Sequence, residues 1–272
     1  MTFRSFLFVP GARPDRFAKA FAAGADAVCI DLEDAVPPPE KAAAREATLA
    51  ALRQDRLARP AVGLRLNALR TPAGVADLAA LAASDARPDF VMMPKVAHAE
   101  EAAIVAEVLG PDGPPLWPII ESAAGLEQAF AIAAAPRIGG LLFGGADFAA
   151  DLGVAVEWEP LFLGRATVVA AAARAGVDAL DVPYLDVEDD AGCEAEARRS
   201  RGLGFTGKAC IHPRQLAPVK AAFTPSAAEL ARARRILEAF DAAGGAAALL
   251  DGKLIEAPVV RAAKRVLAAE EG

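Results

Sequence analysis

Two carboxylates and a guanidinium stand where apolar runs of this chain end. Glu121 follows Trp117-Pro118-Ile119-Ile120, Asp147 follows Leu141-Leu142-Phe143-Gly144-Gly145-Ala146, and Arg65 lies in Gly63-Leu64-Arg65-Leu66-Asn67. A strand gains nothing from a charge where it leaves the core, because an unpaired buried ion is costly. Charges at several such edges point to a site built by convergence, and to an enzyme rather than a scaffold. Carboxylates leaving adjacent strands, ~4.8 Å apart, repel unless one holds a proton or a cation lies between them. With oxygen ligands and two histidines in the chain, the expected cation is a hard one, Mg²⁺ first, which leaves positions for water and substrate. The plainer reading stays open: each acid caps a following helix or pairs with a surface lysine. Arg65 needs an anionic partner, either a structural carboxylate or a substrate carboxylate or enolate oxygen, for which a planar fork of donors is suited.

A second acidic cluster reads Asp31-Leu32-Glu33-Asp34-Ala35-Val36-Pro37. Alternation along a strand sends Asp31 and Glu33 to one side and Asp34 to the other, so the three acids cannot all serve one ion. Glu33 and Asp34, at the turn, are better placed to hold metal-bound waters. Asp31 is either part of the site or a structural acid paired with a lysine such as Lys95 or Lys208. The segment Gly11-Ala12-Arg13-Pro14-Asp15-Arg16-Phe17-Ala18-Lys19 carries three cations into a helix start, which suits phosphate or simply a solvated face. His98 reads as an incidental surface residue, and His212 as either a ligand contact or a structural hydrogen-bonding group. Cys210 has no evident base and reads as a packed thiol.

These residues need a frame. Eight runs rich in Val, Ile, Leu and Phe, namely Ser5 to Val9, Ala27 to Leu32, Ala61 to Leu66, Phe90 to Met93, Leu116 to Ile120, Gly140 to Phe143, Ala179 to Asp181 and Gly204 to Ala209, read as strands. Between and after them lie helical stretches: Pro14 to Ala23, Glu40 to Gln54, Ala73 to Ala83, Ala97 to Leu109, Ala124 to Ala134, Pro160 to Ala175, Val187 to Arg201 and Pro213 to Ala222. Eight βα units in about 220 residues match an α/β fold of the (β/α)8 TIM-barrel type, whose chemistry lies at the C-terminal ends of the strands. A doubly wound sheet is the alternative, but no Gly-x-Gly-x-x-Gly follows the first strand. Residues 1–223 therefore read as a catalytic barrel and 224–272 as a C-terminal helical extension. In the extension Ser226 caps a helix over Ala227 to Ala243, Asp251-Gly252 signals a hairpin, and a last helix starts near Pro258. This tail packs either on the barrel or on a neighbouring subunit.

At 272 residues and 54% hydrophobic composition, a sizeable core is assured. A net charge of -7 disfavours nucleic acid and anionic membrane surfaces. No stretch approaches a membrane span, and the apolar amino terminus is too short for a signal sequence. Three cysteines, with Cys29 inside an apolar run, argue against a disulfide framework. The expectation is a cytoplasmic protein.

Five blocks occur in order: Arg4-Ser5-Phe6-Leu7-Phe8-Val9-Pro10-Gly11, Asp31-Leu32-Glu33-Asp34-Ala35-Val36, Ile119-Ile120-Glu121-Ser122, Phe143-Gly144-Gly145-Ala146-Asp147-Phe148 with Asp151-Leu152-Gly153, and Gly207-Lys208-Ala209-Cys210-Ile211-His212-Pro213. Together they resemble the citrate lyase β-subunit-like family of the HpcH/HpaI aldolase/citrate lyase superfamily, which includes malyl-CoA and citramalyl-CoA lyases. The resemblance implies a (β/α)8 barrel with a C-terminal extension, Mg²⁺, an acyl-CoA thioester substrate and a homo-oligomer, trimer or hexamer. It makes Glu121 and Asp147 the metal ligands, Arg65 the substrate-activating arginine, and Glu33 and Asp34 the acids that hold metal-bound waters. It places Phe8, Arg13 and Lys19 at the CoA moiety, with Ile211 and His212 as weaker candidates. The implied reaction cleaves a 3-hydroxy-3-carboxyacyl-CoA thioester, of citramalyl, malyl or citryl type, to acetyl-CoA and a 2-oxo acid.

One position departs from the pattern. Many relatives carry Gly-x-x-Val-Asp-x-Pro in the tail, and its aspartate acts as acid/base in a neighbouring subunit's site. Here the segment reads Gly252-Lys253-Leu254-Ile255-Glu256-Ala257-Pro258, so Glu256 keeps the carboxylate on a longer arm. Alternatives are the β subunit of a citrate lyase complex acting on citryl-acyl-carrier protein, a thioesterase or malate-synthase-like enzyme, and a catalytically silent acyl-CoA-binding protein.

Overall fold

A computed structural model describes residues 3–53 and 60–270. The expected helix end at Gln54, the amino-terminal Met1-Thr2 and the last two residues of the expected extension lie outside the described residues. The chain divides into two compact units, Met1–Lys220 and Ala221–Gly272.

The first unit is a closed barrel of eight parallel strands in sequential order: β1 (Ser5–Pro10), β2 (Ala27–Asp31), β3 (Ala61–Arg65), β4 (Val91–Met93), β5 (Leu116–Ile120), β6 (Gly140–Phe143), β7 (Asp178–Asp181) and β8 (Gly207–Cys210). β8 closes on β1 with Ser5 opposite Lys208. Closure rules out the doubly wound alternative. Alternation decides what fills the barrel. Phe6 on β1, Cys29 on β2, Met92 on β4, Trp117 and Ile119 on β5, Leu142 on β6, Leu180 on β7 and Ala209 on β8 form one buried cluster, while the residues between them face the helices. Burying a large apolar side chain of this kind contributes about 1.5–3 kcal/mol.

The helices depart from expectation in instructive places. The first is a 3-10 turn, Pro14–Arg16, followed by Phe17–Phe21. The stretch expected as one helix after β5 is two, Ala123–Glu127 and Ala129–Ala133, interrupted at Gln128. The helix before β8 begins at Asp190 rather than Val187, because the Asp189 side chain accepts the Gly192 N–H and caps it. It runs to Leu203 and ends on Gly204 at φ 118°, so β8 starts at Gly207, three residues later than expected. A helix not foreseen at all, Gly145–Leu152, directly follows β6. Its opening glycines, poor helix formers, disguise it as a loop.

The second unit is a small assembly with its own core. Helices Ala227–Ala242 and Ala257–Ala268 and the antiparallel hairpin β9 (Ala248–Leu250) and β10 (Lys253–Ile255) bury Ala233, Ile236, Ile255, Val260 and Ala263 together. Ser226 caps its helix as the sequence indicates: its hydroxyl accepts the Glu229 N–H, and the Glu229 carboxylate accepts the Ser226 N–H at 2.7 Å. The hairpin turns on Asp251 and Gly252, both at positive φ, the conformation an Asp-Gly pair favours. Among the described residues no helix is long and apolar enough to cross a membrane.

Candidate active site

The alternation that fills the barrel also builds the site. Continuing the inward-facing series of every strand but β4 to the C-terminal edge gives Pro10 from β1, Asp31 from β2, Arg65 from β3, Glu121 after β5, Gly144 after β6, Val182 after β7 and Ile211 after β8. All of these line one pocket of about 420 Å³, with Phe8, Ile119 and Leu142 beneath and Asp34, Asp147 and Leu185 at its loops. Arg65, Glu121 and Asp147, singled out in the sequence, are thus brought together, and Asp34, Phe8 and Ile211 join them.

Arg65 has its anionic partner inside the protein. Its Nε and Nη2 donate to Asp31 Oδ1 and Oδ2, both at 2.7 Å, and Asp31 also accepts the N–H groups of Glu33 and Ala35. Lys95 and Lys208, the partners considered for Asp31, go elsewhere: Lys95 Nζ donates to Glu33 Oε1 at 2.5 Å and Lys208 Nζ to Asp181. Burial works against the guanidinium's charge, yet Asp31, Glu33 and Asp34 outweigh it and raise the Arg65 pKa. Arg65 Nη1 lies 2.9 Å from Glu33 Oε2, but that buried oxygen has no aligned hydrogen bond. The guanidinium carbon also sits over the Phe8 ring, 5.2 Å from its centroid.

Glu121 is buried, and Lys95 fixes it by donating its main-chain N–H to Oε1 at 2.5 Å. Lys95 adopts a φ of 55°, a conformation that costs a side-chain-bearing residue about 1–2 kcal/mol. Asp147 does not leave a strand directly, as the sequence suggested. It lies in the first turn of the helix Gly145–Leu152, a position that favours a carboxylate. Between the two, Gly144 allows a close approach: a β-carbon there would come within 2.5 Å of Glu121 Oε2. Burial first, then the charges of Glu33 and Asp147, push the Glu121 carboxyl up to about 8, against the pull of the Lys95 N–H. Burial likewise raises the Glu33 pKa, with Asp34 adding to it and Arg65 and Lys95 opposing.

Five acids, Asp31, Glu33, Asp34, Glu121 and Asp147, thus gather with two cations, Arg65 and Lys95. That excess, the unbonded Glu33 Oε2 and the open flank at Gly144 fit a bound divalent cation. Among the described residues no three His, Cys, Asp or Glu side chains converge to hold an ion. Two carboxylates suit a cation that keeps water and substrate in its remaining positions, as Mg²⁺ does.

A buried ion network supports the opposite wall. On the outward face of β7 and β8, Asp181 accepts from Arg165 Nε, Ser200 Oγ and Lys208 Nζ. Lys208 also donates to Glu196 and to the carbonyl of Val182, which lines the pocket. Burial opposes both charges, but each partner outweighs it: Asp181 is held low and Lys208 high.

Other barrel residues named from the sequence are not among those that line the pocket. Arg13 is exposed and forms two hydrogen bonds to Asp15, and Lys19 is exposed on Phe17–Phe21. His212 is exposed, and its Nδ1 accepts the Arg214 N–H. His98 is exposed at the start of Ala99–Val108, and Cys210 is a buried free thiol raised to about 12 by burial. Glu256, exposed in the second unit, is the N-cap of Ala257–Ala268 and makes no capping hydrogen bond. Sequence reasoning missed Lys95 as a site residue, although a charge just after β4 follows the same edge rule that found Arg65. It also missed Gly144 and Leu185, whose parts depend on what lies beside them in space.

Comparison with known proteins agrees with the barrel fold. A (3S)-malyl-CoA thioesterase of Cereibacter sphaeroides is 37% identical over 274 residues, 99% of this chain and 95% of that protein. An L-malyl-CoA/β-methylmalyl-CoA lyase of the same organism is 36% identical over 297 residues, 97% of this chain and 93% of that protein. Protein CitE from Mycobacterium tuberculosis, solved in complex with magnesium, acetoacetate and coenzyme A, matches with a TM-score of 0.86 at 35% identity, covering 100% of this chain and 99% of that one. The sequence model of HpcH/HpaI aldolase/citrate lyase matches residues 4–213. With that match over most of its length, and the barrel that it accompanies, the chain belongs to the HpcH/HpaI aldolase/citrate lyase family.

Proposed function

We propose that the chain is a Mg²⁺-dependent carbon–carbon lyase that cleaves a 3-hydroxy-3-carboxyacyl-CoA thioester, of malyl, citramalyl or citryl type, to acetyl-CoA and a 2-oxo acid. The observation that carries this reading is the convergence of Glu121, Asp147 and Arg65 on one pocket with an otherwise largely apolar lining. Glu121 and Asp147 would hold Mg²⁺, which when bound polarises the hydroxyl and carboxylate oxygens of the acid portion. In the cleavage the 3-hydroxyl passes its proton to water, from which Glu256 regains the proton it gives up, and its O–H electron pair becomes the new carbonyl bond. The C2–C3 bond breaks, and its pair moves onto the thioester as an enolate. Arg65, held in orientation by Asp31, presents its remaining N–H donors to the enolate oxygen, a contribution of about 3 kcal/mol by the usual worth of such donors. Ile119, Leu142 and Val182 keep water from the carbanionic carbon. Glu256 from a neighbouring copy delivers the proton to C2, an assignment supported by its place in the tail segment and one that requires a homo-oligomer, trimer or hexamer. Phe8, Arg13, Lys19, Ile211 and His212 are assigned to the CoA moiety on the family resemblance. Three buried free cysteines support a reducing compartment and hence a cytoplasmic setting.

The similarity to a (3S)-malyl-CoA thioesterase supports a second reading. There water adds to the thioester carbonyl, the CoA thiolate leaves, and Arg65 stabilises the tetrahedral oxyanion. Incubating the protein with Mg²⁺, acetyl-CoA and glyoxylate, pyruvate or oxaloacetate tests the lyase reading in reverse. A condensed thioester identified by mass is the expected result. Release of CoA thiol from malyl-CoA, with no condensation from any acid, would replace the lyase by the thioesterase.

A further inference from the structure

The geometry points to a role for Lys95 that rests on the metal site assigned to Glu121 and Asp147: its ammonium is a built-in cation of the acid cluster, against which Mg²⁺ has to bind. Three observations carry the role. Lys95 follows β4 at a φ of 55°, where glycine would sit freely and a β-carbon is disfavoured. In that conformation the residue faces two ways: its N–H reaches Glu121 Oε1 at 2.5 Å, while Nζ lies 2.5 Å from Glu33 Oε1 and 3.4 Å from Asp34 Oδ1. The side chain is 42% exposed, so core packing does not demand it. A residue disfavoured by its backbone and unneeded by the core has its ammonium among carboxylates gathered at the same end of the barrel as Glu121 and Asp147.

Main chain and side chain therefore act separately. The N–H orients Glu121 whatever the side chain is. The ammonium holds Glu33 and Asp34 when no metal is present and repels a divalent ion when one arrives. Mg²⁺ alone is then held weakly, and the negative charge of a bound substrate carboxylate is needed to hold it firmly. The role is one of charge balance at the metal site, distinct from contact with the reacting atoms.

Calorimetric titration of the full chain with Mg²⁺, without substrate, tests this. Lys95→Met removes the charge and keeps the N–H. It is expected to bind Mg²⁺ about tenfold more tightly than the unaltered protein, the scale of one like charge removed in a partly screened site. Lys95→Arg keeps the charge and is expected to bind within about threefold of the unaltered protein on the same reasoning. Unchanged or weaker Mg²⁺ binding in folded Lys95→Met overturns the role. If that variant does not fold, Lys95→Gln carries the same expectation and the same contrary result. Glu121→Gln is the control for the site itself: it is expected to lose Mg²⁺ binding, and retention would overturn the metal assignment rather than the part played by Lys95.

Discussion

Asp31 and Arg65 are register partners on adjacent parallel strands, and two hydrogen bonds of 2.7 Å join carboxylate to guanidinium. Both are inward-facing and stand at the C-terminal edge of the barrel. The pair thus meets the cost of placing a guanidinium at the mouth of an apolar barrel and aims the rest of the fork into the pocket. Lysine cannot reproduce a bidentate fork. Arg65→Lys is therefore expected to lower kcat about 100-fold or more, as loss of an oxyanion donor does, while preserving Mg²⁺ binding. Steady-state kinetics beside a Mg²⁺ titration would show whether the two separate.

The acidity of Glu121 makes metal binding depend on pH. With its pKa pushed up to about 8 by burial and neighbouring charge, Glu121 is largely protonated at neutral pH without metal, and Mg²⁺ must displace that proton. Apparent affinity should rise about tenfold per pH unit up to about 8 and then level off. The stability of the metal-free protein runs the other way. A carboxyl whose folded pKa lies above its unfolded value stabilises the fold at low pH, and that contribution is lost as pH rises from about 4.5 to about 8. Calorimetry from pH 6 to 9 and thermal melts with chelator would measure both slopes.

Gly144 is required by what lies beside it. A β-carbon there would meet Glu121 Cβ and Oε2 at 2.5 Å and Ile119 Cγ2 at 2.8 Å. Gly144→Ala should displace the Glu121 carboxylate, weaken Mg²⁺ binding about tenfold or more and reduce kcat at least as far, since small misplacements of reacting groups are costly. Near-native circular dichroism with lost Mg²⁺ binding is the expected combination.

The network behind Val182 predicts a stability effect without a metal effect. Lys208→Met removes one of the two buried cations at Asp181, leaving Arg165, and the hydrogen bond to Glu196, a loss of about 1.5–3 kcal/mol in unfolding free energy. Urea unfolding would measure it, and Mg²⁺ affinity should stay within about twofold because no metal-holding side chain is touched.

Glu256 is tested by changing charge and length separately. Glu256→Gln should lower kcat about 100-fold, the usual worth of a general acid. Glu256→Asp, which keeps the carboxylate on a shorter arm, should retain most of it. Equal activity in Glu256→Gln would remove Glu256 from the reaction.

Much of this architecture is readable before any coordinates. Each strand announces itself as an apolar run, and the period of two along it carries Asp31, Arg65 and Glu121 to one rim. Partner choice is not readable in the same way. Asp31 has Arg65, Lys95 and Lys208 as possible cations; strand register sets Arg65 beside it, while Lys208, one residue out of phase with the inward series, faces the helices and meets Asp181. The helix holding Asp147 hides behind two glycines, because local propensity argues against it and tertiary packing prevails. The left-handed turn at Lys95 has no local signature, since lysine is not a residue that favours it.

The central claim, cleavage of a carbon–carbon bond at the Arg65, Glu121 and Asp147 site, is most directly tested by product analysis from a single thioester. With malyl-CoA and Mg²⁺, acetyl-CoA and glyoxylate should form in equal amounts, and the reaction should stop with chelator and in Glu121→Ala. Free CoA thiol and malate without glyoxylate, or undiminished turnover by Glu121→Ala with normal Mg²⁺ dependence, would contradict it.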